Sequence, residues 1–277
     1  VIPPEVPMKI HPTAIVEDGA RLGVDVEIGP YCAVSAHAVL DDGVRLVSHV
    51  VIAGEVEIGA RTVVHPQAVL GGESQIRNND ARDTRLVIGV DNVIREFVTM
   101  SLGSRRGGGV TSVGDRGYFM AASHVGHDCH VGDDVTLSNG ALLAGHVEVG
   151  DGVIMGGASA VQQFGRIGRN AFVGGLSGAN TDVIPYAIAT GPHIKLDGLN
   201  LVGLKRRGLP RATIHKMRAA YRTIFLEADG KLDERARRAA DTWPDIAEIQ
   251  EIVAFILAKA KRPICPARRR MQEDDDA

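Results

Sequence analysis

The sequence predicts a parallel β-helix followed by a small α-helical unit, and three observations carry that prediction. From Val113 to Ala179 an apolar residue recurs at every sixth position: Val113, Phe119, Val125, Val131, Leu137, Leu143, Val149, Met155, Val161, Ile167, Val173 and Ala179. From Val125 onward a small or β-branched residue stands two places before each, as at Ser123, Cys129, Ala141, Ser159, Ala171 and Ser177. The composition agrees, with 33 glycines and only 4% aromatic residues, which suits narrow coils filled by Val, Ile, Leu and Ala. No α-helix has a period of six. Residues two apart face the same side of a strand, so each hexad reads as a short strand placing one large and one small side chain inward, then a corner. Six-residue periodicity rich in glycine is the signature of a β-helix.

The repeat begins early, with Ile10, Val16, Leu22, Ile28, Val34, Leu40, Leu46, Ile52, Ile58, Val64 and Leu70 as inward positions. A polar run from Gly71 to about Arg85 interrupts it, and Ile88, Ile94 and Met100 resume it. Leu70 to Ile88 is three hexads, so phase is expected to survive this excursion, whereas Met100 to Val113 is thirteen residues and loses it. Arg105, Arg106 and three consecutive glycines in that gap predict a protruding flexible loop. The β-helix is thus assigned to residues 1–184, with excursions near 71–86 and 101–112. A linker and α-helical unit follow over 185–265, with helices at about Arg211 to Glu227, Leu232 to Trp243 and Pro244 to Lys261. The first would bury Ile214, Met217, Tyr221 and Ile224. Residues 266–277, alternating basic and acidic blocks, predict a disordered tail.

A formal charge of -3 gives no global case for nucleic acid. No apolar run reaches the roughly 18 residues of a membrane span, and the first residues lack the pattern of a secretory leader. A cytoplasmic protein without an integral membrane segment is expected. Cys32 and Cys129 occupy small inward positions and read as packing, while Cys265 falls in a basic stretch.

If three hexads make one turn, residues 18 apart sit on adjacent coils, roughly 4.8 Å apart. His127, Gly145 and Gln163 each lie two places after an inward residue and form one column at a corner, with His146 one step along. A neutral imidazole can take a proton from an attacking hydroxyl. A corner glycine leaves its backbone N–H open to a developing oxyanion, and Asp128 would hold the His127 ring in one tautomer. These are the parts of an acyl-transfer site that needs no covalent intermediate. Two other readings stay open: ordinary surface histidines, and a zinc site built from His124, His127, His130 and His146.

At these residues the chain resembles the acyl-[acyl-carrier-protein]:UDP-N-acetylglucosamine O-acyltransferases of lipid A synthesis. The likeness runs from Ile10-His-Pro-Thr-Ala-Ile-Val16 through His124-Val-Gly-His-Asp-Cys129 and Leu143-Ala-Gly-His146 to Gly203-Leu-Lys-Arg-Arg-Gly208. It implies a left-handed β-helix, an exception to the right-handed crossover rule, assembled as a homotrimer with sites between subunits. It implies His127 as general base, Asp128 as its orienting partner and Gly145 as oxyanion donor, with His124 and His146 lining the site and Gln163 near the acceptor. Asn200, Arg206 and Arg207 match positions that bind the nucleotide and its phosphates, and Gly175 falls where the family limits acyl-chain length. No metal and no bound cofactor are implied; the acyl donor rides on the phosphopantetheine of acyl carrier protein. The chain departs from the family at Ile76, Asn78, Ser101, Gln162 and Val202, although Arg77 would substitute for a substrate-contacting lysine. Those departures leave two alternatives beside UDP-N-acetylglucosamine acylation: a homologue acting on a modified or amino nucleotide sugar, and a catalytically silent trimeric binding protein.

Overall fold

The computed structural model describes residues 9–78 and 82–268. Hexads fold into strands mostly two residues long, and successive strands fall in turn on three parallel sheets. The first face runs from Lys9–Ile10 to Phe172–Val173, the second from Ile15–Val16 to Gly178–Ala179, and the third from Arg21–Leu22 to Arg166–Ile167. The result is a left-handed triangular coil. Its axis is filled by the predicted inward residues: Ile28, Leu40, Leu46, Ile58, Leu70, Phe119, Leu137 and Met155 are essentially inaccessible. Each such side chain contributes about 2 kcal/mol relative to exposure. The first coil has a neighbouring coil on one side only among the described residues, so Ile10 remains partly exposed. Cys32 and Cys129 are buried as packing predicts, and burial pushes the Cys129 thiol up to about 12.

The first excursion leaves after Val69–Gly72 on the second face and returns at Arg85–Ile88 on the third. Ile88 therefore lies one face on from Leu70, not one full turn above it. Val87 pairs with Glu57, thirty residues back instead of eighteen, so twelve extra residues are inserted at one corner; the hexad phase survives, with Ile88 buried inward above Ile58, while the turn-by-turn register of eighteen does not. The second excursion leaves after Thr99–Ser101 and returns at Val110–Val113. It is not a protruding flexible loop: it turns through a 3₁₀ segment, Arg105–Gly107, and packs back onto the coil with Ser104 buried.

Beyond the coil, an antiparallel hairpin of Ala187–Thr190 and Lys195–Leu199 extends the first face. Neither it nor the following short helix α1 (Leu201–Arg206) shows in the hexad pattern. Three helices follow, α2 (Arg211–Phe225), α3 (Leu232–Thr242) and α4 (Ala247–Leu257). Ile214, Met217 and Ile224 are buried in α2, but Ala220 takes the fully buried place and Tyr221 is half-buried. The third predicted helix starts three residues late, because Pro244 lies in the turn before α4. The tail expected from 266 is held for its first three residues: Ala267 bridges Leu196, and Arg268 pairs with Asp197 at 2.5 Å. Cys265 is buried at that seam. Residues 269–277, including the remainder of the predicted tail, lie outside the described residues.

A buried pair joins the helical unit to the coil. Arg166 donates from its backbone N–H and from Nε to the wholly buried Asp182 at 2.9 and 2.7 Å, and its guanidinium stacks on Phe255 of α4 at 4.2 Å. Asp182→Ala would leave a largely buried guanidinium unpaired, so a loss of about 3 kcal/mol in urea unfolding is expected. An unchanged midpoint would show the pair to be idle.

Candidate active site

The second-to-third corner carries the predicted column. His124–Val125 pairs with Leu142–Leu143, which pairs with Ala160–Val161, so His127, Gly145 and Gln163 follow on successive coils. His146 and Phe164 occupy the left-handed backbone region at φ 60° and 62°. That conformation is unfavourable for bulky residues. It is held by ladder bonds, from His146 N–H to the His127 carbonyl at 2.9 Å and from Phe164 N–H to the Gly145 carbonyl at 3.1 Å.

His127 and Asp128 are both buried, and His127 Nδ1 lies 2.8 Å from Asp128 Oδ2. With Nδ1–H donating to the carboxylate, the tautomer leaves Nε2 as a free lone pair. The ring lies over Gly145: a Cβ built there would stand 2.3 Å from His127 Cε1 and 2.4 Å from Nε2. The Gly145 N–H meets no acceptor among the described residues.

The second excursion supplies what sequence reasoning missed. Ser104 donates from its backbone N–H to Asp128 Oδ1 at 2.8 Å and from its hydroxyl to Oδ2 at 2.5 Å. Asp128 N–H donates to Thr111 Oγ1 at 2.8 Å. Gly107 passes so close that a Cβ would fall 2.2 Å from the carboxyl carbon. The lost phase marked this loop as special, but nothing in the run of serines, arginines and glycines says which one turns back. Burial alone would raise the Asp128 carboxyl; the Ser104 bonds, the His127 ring and nearby His146 outweigh it and hold the group below its ordinary range.

His146 stands edge-on to His127, ring centres 4.9 Å apart, with Nδ1 3.7 Å from Asp128 Oδ2. His124 Nδ1 bonds Thr99 Oγ1 at 2.7 Å. Burial holds both rings below the ordinary imidazole value. The unfolded chain therefore binds protons that the folded one refuses, and stability declines as pH falls below about 6.5. NMR titration is expected to place both midpoints below about 6.5, and a midpoint above neutrality would contradict the burial argument.

His127, Asp128 and His146 lie close enough to surround a cation. Both Asp128 oxygens are already engaged by Ser104 and His127, however, and His130 belongs to the third face, bonded to Ser112. The four-histidine zinc arrangement does not form.

The other predicted residues lie elsewhere on the prism. Asn200 caps α1, accepting from Gly203 N–H at 2.9 Å and donating to the Asn170 carbonyl at 3.2 Å. Arg207 reaches over Gly152, where its terminal nitrogen would be 2.0 Å from a built Cβ. Gly152 and Asn170 mark the third-to-first corner, and Arg206, next to Arg207 in sequence, is exposed. Gly175 is on the remaining, first-to-second corner, against the backbone of Gly157. Arg77 is exposed in the first excursion and takes no part in the Asp128 cluster.

A triangular coil of hexads bearing a histidine–aspartate pair against an open backbone N–H defines a hexapeptide-repeat acyltransferase. A protein from Caulobacter vibrioides is 50% identical over 262 residues, covering 95% of this chain and 99% of the other. One from Agrobacterium fabrum is 48% identical over 264 residues, covering 94% and 96%. Both are named acyl-[acyl-carrier-protein]--UDP-N-acetylglucosamine O-acyltransferase. The UDP-N-acetylglucosamine acyltransferase structure from Campylobacter jejuni superposes with a TM-score of 0.88 at 34% identity, over 94% of this chain and all of that one. The Acinetobacter baumannii LpxA structure gives 0.89 at 33%, over 92% and 99%. The family profile for domain 2 of UDP-N-acetylglucosamine O-acyltransferase matches residues 182–265. The chain belongs to the acyl-[acyl-carrier-protein]--UDP-N-acetylglucosamine O-acyltransferase family.

Proposed function

We propose that this protein transfers a 3-hydroxyacyl chain from the thioester of acyl carrier protein to the 3-hydroxyl of UDP-N-acetylglucosamine, with His127 as general base. The observation that carries this reading is the 2.8 Å His127–Asp128 pair with Nε2 turned to Gly145. Nε2 takes the hydroxyl proton as the sugar oxygen attacks the thioester carbon. The tetrahedral oxyanion forms against the Gly145 N–H, and its collapse breaks the carbon–sulfur bond. The imidazolium, steadied by Asp128, returns its proton to the departing thiolate. The names of the relatives favour this acceptor over a modified amino sugar and over a silent binding protein.

The acceptor contacts call for a second copy. His127 is on one edge of the prism, Asn200 and Arg207 are at another, and Gly175 is at the third, so no single prism gathers them. In a homotrimer the Asn200, Arg206 and Arg207 corner of one subunit would meet the His127 corner of the next, and forked guanidinium donors suit the nucleotide phosphates. His124, His146 and Gln163 line the acceptor side, and the acyl chain passes Gly175. The exposed Arg211, Lys216, Arg218 and Arg222 of α2 would dock the acidic carrier. Reversing the charge of Arg211, Lys216 and Arg218 together is expected to raise KM for carrier-linked donor about tenfold with kcat kept, roughly the 1.4 kcal/mol of a few rim charges; an unchanged KM would remove the docking face. The function itself is tested by supplying 3-hydroxyacyl-carrier protein and UDP-N-acetylglucosamine beside a His127→Ala control, with mass in solution measured by light scattering. Absence of turnover by a correctly folded oligomer would overturn it.

A further inference from the structure

The segment after α4 returns to the catalytic corner. Arg262 Nε donates to the Gln163 carbonyl at 2.9 Å, Asp182 N–H donates to the Pro263 carbonyl at 2.8 Å, and Cys265 N–H donates to the Asp182 carbonyl at 2.8 Å. These bonds fix the chain immediately after Lys261, whose ammonium lies over the Phe164 ring, 3.6 Å from its centre. The other face of that contact is ordered too: Phe164 stacks on His146 with centres 4.4 Å apart and planes only 9° from parallel. His146 in turn shares Asp128 with His127, at 3.7 Å against 2.8 Å. Two imidazoles thus compete for one carboxylate.

We propose that Lys261 and Phe164 form a positioning unit that holds the His146 imidazole off Asp128, so that the carboxylate serves His127 alone. The inference rests on His127 being the general base. The flat stack on Phe164 keeps the His146 plane edge-on to His127 and its Nδ1 3.7 Å from Asp128, beyond hydrogen-bond reach. A protonated His146 would be drawn to Oδ2 and would displace the Nδ1–H of His127. The groups facing His146 are Asp128 and His127 from the coil before it, His130 from the third face, and Lys261 from the post-α4 segment. Asp128 alone favours protonation; the Lys261 charge opposes it through the polarisable ring between them.

Lys261 is exposed, so its replacement does not threaten the core. Lys261→Glu is expected to raise the His146 NMR titration midpoint by about one pH unit, as reversing a partly screened charge two ring widths away should. The acidic limb of the kcat/KM profile should move up with it, while kcat at pH 8.5 stays within about twofold. Lys261→Arg should restore both, and Phe164→Leu, which keeps bulk but not the stack, should shift the limb in the same direction. An acidic limb that stays in place in Lys261→Glu, with or without a moved midpoint, overturns the proposal. The His127→Ala control separates the two readings: if that variant kept its activity, the base assignment would fail, whereas the His146 titration would still report whether Lys261 controls the second imidazole.

Discussion

His127→Ala is expected to lower kcat about a thousandfold while leaving the unfolding temperature nearly unchanged. The size follows from what is removed. No other described side chain combines a carboxylate partner at 2.8 Å with a free ring nitrogen over the Gly145 backbone. His146 is a poor substitute, because its Nδ1 is 3.7 Å from Asp128 and its ring is committed to Phe164. The residual rate would come from the backbone donor and from substrate alignment. Stability is spared because His127 is at a corner, outside the ladder of aliphatic side chains that fills the axis. A loss below tenfold at saturating substrates would remove His127 from the role of base.

Gly145→Ala should be nearly as damaging, lowering kcat at least a hundredfold, although it adds one methyl group. That methyl would stand 2.3 Å from His127 Cε1, well inside contact distance. The ring has little room to yield, with Nδ1 bound to Asp128 and His146 packed edge-on beside it. Either the imidazole swings out or the corner opens, and both separate the proposed base from the proposed oxyanion donor. Misplacement of about 1 Å is enough for a loss of that order. Single-turnover measurements with pre-bound donor check it: an unaffected chemical step with only a raised KM would mean the glycine serves binding space and not alignment.

The sequence made the coil legible because its period is a packing constraint. A side chain every six residues must enter a space that only apolar groups fill, and the same arithmetic puts His127, Gly145 and Gln163 in one column with His146 beside it. It failed where geometry is set by something other than the repeat. Leu70 and Ile88 are three hexads apart, yet they sit on adjacent faces, since a twelve-residue insertion keeps the period of six but breaks the period of eighteen. Ser104 and Thr111 were invisible because a serine in a polar loop carries no sign of the buried carboxylate it will meet. The helical pattern in the sequence ends at Lys261, and only the fold brings it back beside Phe164. Asn200 and Arg207 were matched by motif, but their corner is reached through a hairpin and a six-residue helix that have no hexad signal.

Both insertions leave the coil from the second face and rejoin it on the third, the same edge on which His127, Gly145 and Gln163 are stacked. The prism therefore divides its labour by edge. Its axis and other two edges keep time, coil after coil, while one seam takes new chain without disturbing the order in which strands stack on the three faces. Grafting a relative's loop at 73–84 should thus retune acceptor choice in a molecule whose melting behaviour barely notices, whereas a graft at 102–109 would also remove the Ser104 bonds that hold Asp128.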